Sequence, residues 1–315
     1  MTNNKTKSKT TVKKKETVLY EGIPVSSAKH PAGCCGTSGR FIKPTSRFTS
    51  SDCGMPNIAA AHVSSCYLRG ACIQSWYRHC CTWAGICAFL AEFFGTAILT
   101  FALAFTAAQL GVYGGSFTES LVLMAVLAWA LLWALIEMWK MASGGHFNPG
   151  VTITMWLLGK ICWKNALVYI LLQMLGGIVG ALFAWLFLGH CGESIPGCLG
   201  TPTVGSGGIW MAFLAECLAC TFFYIAVYYH VIHATIPAAA IGAALAVAHI
   251  LFLGISGASL NFARYLGPYL FSHCWCWSVW LYFLSSIVIG PLFAFLYVKA
   301  CQCFESRPVQ DSLPQ

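Results

Sequence analysis

The chain has 315 residues, of which 58% are hydrophobic, 14% aromatic and only 9% charged, with a mean hydropathy of +0.70. A soluble domain carries roughly 25% charged residues, so a water-soluble enzyme is excluded and an integral membrane protein is indicated. The net charge of +8 is confined to one end: residues 1–80 hold twelve of the 18 Lys/Arg and three of the ten acids.

Residues 1–82 read as a cytoplasmic, largely disordered basic tail. Lys5, Lys7, Lys9 and Lys13 to Lys15 sit among Thr, Ser and Asn without apolar periodicity, which is the composition of a solvated segment. A nucleic-acid-binding protein carries its basic residues on a folded face with aromatics among them, so no nucleic-acid partner is expected. No apolar run follows Met1, and a cleaved secretory signal is not expected.

Apolar stretches begin near Trp83 and continue almost to Ala300. At ~20 residues per crossing they give six transmembrane helices near 83–106, 119–141, 165–189, 208–230, 235–255 and 277–300. Two shorter apolar pieces, 148–159 and 261–271, each begin at an Asn and are too short to span. Lying between full helices, they read as re-entrant half-helices. The channel-like body is therefore 83–300, followed by a cytoplasmic tail, 301–315. Lys140, Lys160, Lys164, Lys299 and Arg307 flank one side, while the 107–118 and 190–207 connections hold no Lys or Arg. By the positive-inside rule both termini face the cytoplasm. Arg264 stands on the opposite side, where it does nothing for topology and reads as functional.

The body repeats itself. Ala91-Glu92-Phe93-Phe94-Gly95-Thr96 parallels Ala215-Glu216-Cys217-Leu218-Ala219-Cys220, and Gly145-His146-Phe147-Asn148-Pro149-Gly150 parallels Ala258-Ser259-Leu260-Asn261-Phe262-Ala263. Tyr169 through Gly180 has a weaker echo in Tyr282 through Gly290. Each unit has three spans, so the two insert with opposite orientations and form an inverted repeat with its site near the bilayer midplane. Two half-helices meeting N-terminus to N-terminus aim their positive dipole ends at one spot. Cations are repelled there, while the Asn148 and Asn261 amides can donate to a neutral oxygen. Pro149 suits a first helical turn, and Arg264 can reach the same place. No carboxylate follows either Asn, which argues against proton-coupled transport.

At these residues the chain resembles the aquaporins (major intrinsic proteins), over about residues 85–300. Ser143 to Thr152 is similar to the first Asn-Pro-Ala loop of that family, and Ser256 to Arg264 with Gly267-Pro268 to the second. The resemblance implies an all-α membrane protein with six transmembrane helices, two re-entrant half-helices and an inverted repeat. It also implies a homotetramer with one pore per subunit, and no cofactor. Asn148 and Asn261 would stand at the pore midplane. Ala128, His249, Ala258 and Arg264 would form a selectivity filter, and a slip of one residue would put Trp129 in place of Ala128. Glu92 and Glu216 would bind loop amides, and His146 would brace the first loop.

Several positions depart from the family pattern. Phe262 replaces proline in the second motif and could occlude the centre; Ser285-Ser286 replace Gly-Pro. Gly150 replaces alanine, a loss of about 1 kcal/mol of helix preference. Tyr265 after Arg264, and the Tyr282-Phe283 pair, match water channels rather than glycerol facilitators. The expected function is passive passage of water through the bilayer. A broader facilitator of small neutral solutes (hydrogen peroxide, ammonia, urea, glycerol) and a non-conducting packing protein are the alternatives. Glu137 and Lys140, three apart on a helix, read as an ion pair; His230 and His233 read as solvated loop residues. Among the seventeen Cys, no zinc spacing is seen, whereas Cys191 and Cys198 could pair outside the membrane.

Overall fold

The structure, a computed structural model, describes residues 83–114, 116–188, 196–233, 236–272 and 277–305; the expected tail 1–82 and residues 306–315 of the expected tail 301–315 lie outside them. The described residues form helices in the order α1 (Trp83–Tyr113), α2 (Phe117–Trp139), α3 (Pro149–Leu157), α4 (Trp163–Phe187), a 3₁₀ turn (Pro196–Gly200), α5 (Gly208–Ile232), α6 (Ala238–Ser256) and α7 (Phe262–Phe271). The chain closes with α8 (Val279–Phe283), a π-helical turn (Leu284–Ile289) and α9 (Gly290–Glu305), which together form one span.

Six of these stretches are long and apolar enough to cross a membrane, and α3 and α7 are the two short pieces between them. The protein is thus an integral, multi-pass membrane protein. Only 33–44% of the most apolar window of each span is buried. The rest presents Leu, Phe and Trp outward, a surface suited to lipid rather than water.

Local chemistry sets the ends. α1 continues seven residues beyond the expected 106, because Ala107 to Leu110 favour a helix and the first effective stop is Gly114, at φ 71°. α2 starts on a reciprocal cap in which Ser116 Oγ accepts from Glu119 N (3.2 Å) and Glu119 Oε2 accepts from Ser116 N (2.7 Å). The last helix runs to Glu305, five residues past the expected body. Lys160, between α3 and α4, is held below its ordinary pKa by partial burial and then by the Lys299 ammonium, so these two basic residues share one end of the molecule. Glu137 and Lys140 pair as expected.

The repeat is visible in the hydrogen bonds. The same offset relates Tyr169, which donates to the Ser143 carbonyl (3.0 Å), to Tyr282, which donates to the Ser256 carbonyl (2.7 Å). It also relates the left-handed residues Gly144, Gly145 and Phe147 to Gly257, Ala258 and Leu260. Both loops therefore turn into their half-helices through the same sparsely populated backbone. At the non-glycine positions this costs on the order of 1–3 kcal/mol each, and only surrounding bonds can sustain it.

Close helix crossings hold the half-helices in place. A Cβ on Gly176 would lie 2.3 Å from the Phe93 carbonyl, and one on Gly180 would lie 2.2 Å from that of Ala97, so α4 meets α1 backbone to backbone. Gly177 is similarly tight against Ala263 O of α7 (2.2 Å). Gly177→Ala must push α7 away, at about 1–3 kcal/mol. The expected result is a lower melting temperature of the detergent-purified protein.

Candidate functional site

The two half-helices begin at Asn148 and Asn261, each an N-cap in extended backbone. Asn148 Oδ1 accepts from Gly150 N (2.9 Å), and Asn261 Oδ1 accepts from Ala263 N (3.0 Å) and Arg264 N (3.4 Å). With each oxygen turned toward its own helix, each amide nitrogen faces the other repeat. Asn148 Nδ2 donates to the Leu260 carbonyl (2.9 Å) and Asn261 Nδ2 donates to the Phe147 carbonyl (2.8 Å). One N–H of each amide is used in this exchange, and an amide nitrogen carries two.

Buried carboxylates secure both loops. Glu92 accepts from His146 N (3.0 Å), Phe147 N (2.7 Å) and Gln173 Nε2 (2.7 Å). Glu216 accepts from Ser259 N (2.7 Å), Leu260 N (3.0 Å) and Ser256 Oγ (2.8 Å). Both carboxylates are fully buried, and their cost in that setting is offset by these donors.

Asn148, Asn261, His249, Arg264 and His146 line one cavity, whose lining is otherwise largely apolar and includes Leu99, Leu103, Leu132, Phe223 and Leu245. A second cavity shares Leu132, His146 and Phe223 with it and continues toward His230. His230 is thus not a solvated loop residue: it sits in the last turn of α5 and helps line this second space, with Nδ1 buried and unpartnered. His233 is exposed and stacks on Tyr229.

Arg264 Nη1 donates to the carbonyl of Gly200 (3.0 Å), the last residue of the 3₁₀ turn, and its charge interacts with the Glu216 carboxylate. Its Nε is buried without a partner. His249 Nδ1 bonds the Leu245 carbonyl (2.9 Å), so that nitrogen carries the proton. Nε2 is then an acceptor, and it too is buried without a partner. Ala128 and Ala258 are fully buried but are absent from the lining of either cavity. Trp129 lies on the outer side of α2, stacked on Trp133 and donating to Ala239 O (3.1 Å). The Phe262 ring packs edge-on against Phe283 (5.2 Å) and beside Tyr265, away from both cavity linings. The obstruction that its bulk suggested is not formed.

His146 does more than brace: its ring bonds Thr152 (3.1 Å) and also lines both cavities. Gln173, Gly200 and the leucine wall were not anticipated. Gln173 had a signal, an amide in the apolar middle of a helix; the others became visible only when distant segments met. Cys198 is disulfide-bonded, as is Cys162; Cys191 lies outside the described residues. No cluster of three or more His, Cys, Asp or Glu that could hold a metal occurs among the described residues.

Helices that break at the membrane centre, with polar groups in an otherwise largely apolar lining, define a channel. The family model described as "Major intrinsic protein" matches residues 79–297. The chain belongs to this family, whose members are membrane channels for small neutral solutes, not enzymes. It is 34% identical over 216 residues to glycerol uptake facilitator protein-like 6 of Lactiplantibacillus plantarum, covering 66% of this chain and 94% of the relative. It is 30% identical over 241 residues to probable aquaporin TIP2-2 of Oryza sativa subsp. japonica, covering 73% and 93%. Among solved structures, the aquaglyceroporin from Plasmodium falciparum shares the fold with a TM-score of 0.54 at 20% identity, over 70% of this chain and 96% of that one.

Replacing one oxygen of a brace by an NH₂ group opposes a backbone N–H with another donor. Glu216→Gln and Glu92→Gln should each cost about 1–3 kcal/mol, read as a lower melting temperature in detergent with a parallel fall in permeability per reconstituted channel.

Proposed function

We propose that the chain is a passive channel for water, with Asn148 and Asn261 orienting the molecules at the midplane and His249 and Arg264 forming the filter; Ala128 and Ala258, expected there too, stand behind the lining. The observation that carries this reading is the pair of unpartnered buried atoms beside the cavity, the acceptor His249 Nε2 and the donor Arg264 Nε. A buried polar atom without a partner is costly, and a small neutral molecule that both donates and accepts satisfies each in turn as it passes. The fixed guanidinium and the two half-helix N-termini oppose cations and protons. The apolar wall gives the molecule no second set of partners, so it is held weakly enough to move on.

A broader facilitator is the second reading. It is favoured by the similarity to a protein named as a glycerol uptake facilitator-like protein. We further propose that both termini face the cytoplasm, on the Lys/Arg asymmetry, and that the channel assembles as a homotetramer.

Stopped-flow swelling of proteoliposomes tests the choice. Fast water flux with little glycerol or urea flux is expected; equal facilitation of both would favour the second reading, and no water flux would sink the first. Arg264→Val removes charged hydrogen bonds from the filter, so glycerol permeability should rise by about 10–100-fold, with water flux retained.

A further inference from the structure

Tyr224 is fully buried in α5 and lines neither cavity, yet its hydroxyl reaches the junction. It lies 3.0 Å from the Leu260 carbonyl, the acceptor of the Asn148 amide, and 3.0 Å from the Ser286 carbonyl in the π-helical turn. Its single hydrogen is shared between those two oxygens. Gly150, two residues after Asn148, makes the room. A Cβ there would come 2.1 Å from the Tyr224 Oη and 2.2 Å from Ser286 O, far inside any real contact. Glycine at 150 and the widened turn at Ser285-Ser286 are therefore one arrangement, built around one hydroxyl.

The other half of the junction lacks this arrangement. Thr100 follows Glu92 at the spacing by which Tyr224 follows Glu216. Its hydroxyl is buried without a hydrogen-bond partner. The Phe147 carbonyl accepts the Asn261 amide, and no tyrosine stands in the matching place.

We propose that Tyr224 is a positioning residue for the pathway: its hydroxyl occupies the second acceptor site of the Leu260 carbonyl, fixing the partner of Asn148 and withholding that carbonyl from the permeating molecule. This rests on the reading of the chain as a water channel. A carbonyl oxygen has two lone pairs. With one on Asn148 and one on Tyr224, Leu260 has none to offer, whereas Phe147 keeps one beside Asn261. The two sides of the midplane thus hold a passing molecule unequally, although the backbone repeat is nearly symmetric.

The test compares Tyr224→Phe, Gly150→Ala, the double variant and Tyr228→Phe in proteoliposomes, each normalised to channels incorporated. Tyr228→Phe is the control, since it also removes one hydroxyl hydrogen bond, the one accepted from Gln302 Nε2 (2.8 Å), from a buried tyrosine of the same helix outside both linings. Tyr224→Phe should lower water permeability per channel by about 2–10-fold, the range of one net hydrogen bond. It should also raise the ratio of ammonia to water permeability, because the freed carbonyl holds the O–H donor of water more strongly than the weaker N–H donor of ammonia. Gly150→Ala should reproduce both shifts by displacing the hydroxyl, and the double variant should be no worse than the weaker single. Tyr228→Phe should leave both readouts at the wild-type value. Should Gly150→Ala fail to fold, the Tyr224→Phe permeability and its ammonia ratio still decide. Wild-type flux with an unchanged Tyr224→Phe channel, or an equal drop in Tyr228→Phe, overturns this inference alone. Wild-type vesicles that pass no water would remove the channel reading itself.

Discussion

The exchange of one amide hydrogen for one carbonyl between the two half-helices governs everything else at the membrane centre. Neither α3 nor α7 can span the bilayer, and each has helix N–H groups without helical partners where hydrocarbon offers none. Asn148 and Asn261 resolve this in two directions at once. The side-chain oxygen caps its own helix, and the nitrogen binds the last carbonyl of the opposite loop. Neither half can form its end without the other, so the junction is a property of the pair.

That exchange requires Phe147 and Leu260 to aim their carbonyls across the junction, which they do from left-handed backbone, at φ 48° and 51°. Residues of this kind adopt such angles only when the surroundings insist. Glu92 and Glu216 supply the insistence by drawing the loop N–H groups into the neighbouring spans. The two carboxylates and the two asparagines thus form a single mechanism. The acids set the loop path, and the loop path presents the carbonyls that hold the amides. Arg264, three residues into α7, is aimed by the same geometry and tied to Gly200 from outside.

Much of this was legible in the residues themselves. The scarcity of charge named the solvent, and the lengths of the apolar runs separated spanning from re-entrant helices. The pairs Glu92/Glu216 and Asn148/Asn261 marked the repeat because a carboxylate or an asparagine in an apolar run needs a specific partner. Helix ends were less legible: α1 and α9 overran their expected limits, since membrane helices continue until backbone chemistry stops them. Phe262 was misleading as a plug. Its bulk was evident, but its ring lies against Phe283 at the end of α8, a contact between segments apart in the chain.

The sequence by itself therefore determined the membrane, the six crossings, the inverted repeat and the residue types at the junction. All of these follow from the period, length and polarity of local segments. Only the tertiary structure decided where those groups point. The leucines of the cavity lining, the Gly200 carbonyl on Arg264 and the Tyr224 hydroxyl on Leu260 are contacts between segments far apart in the chain. The contact between Gly150 and Tyr224 shows the difference most plainly. Read along the chain, Gly150 is a weak helix former about 1 kcal/mol worse than alanine; in the folded protein it is the residue that leaves space for a hydroxyl from another helix. Helix propensity is a local quantity, and the shape of a junction is not.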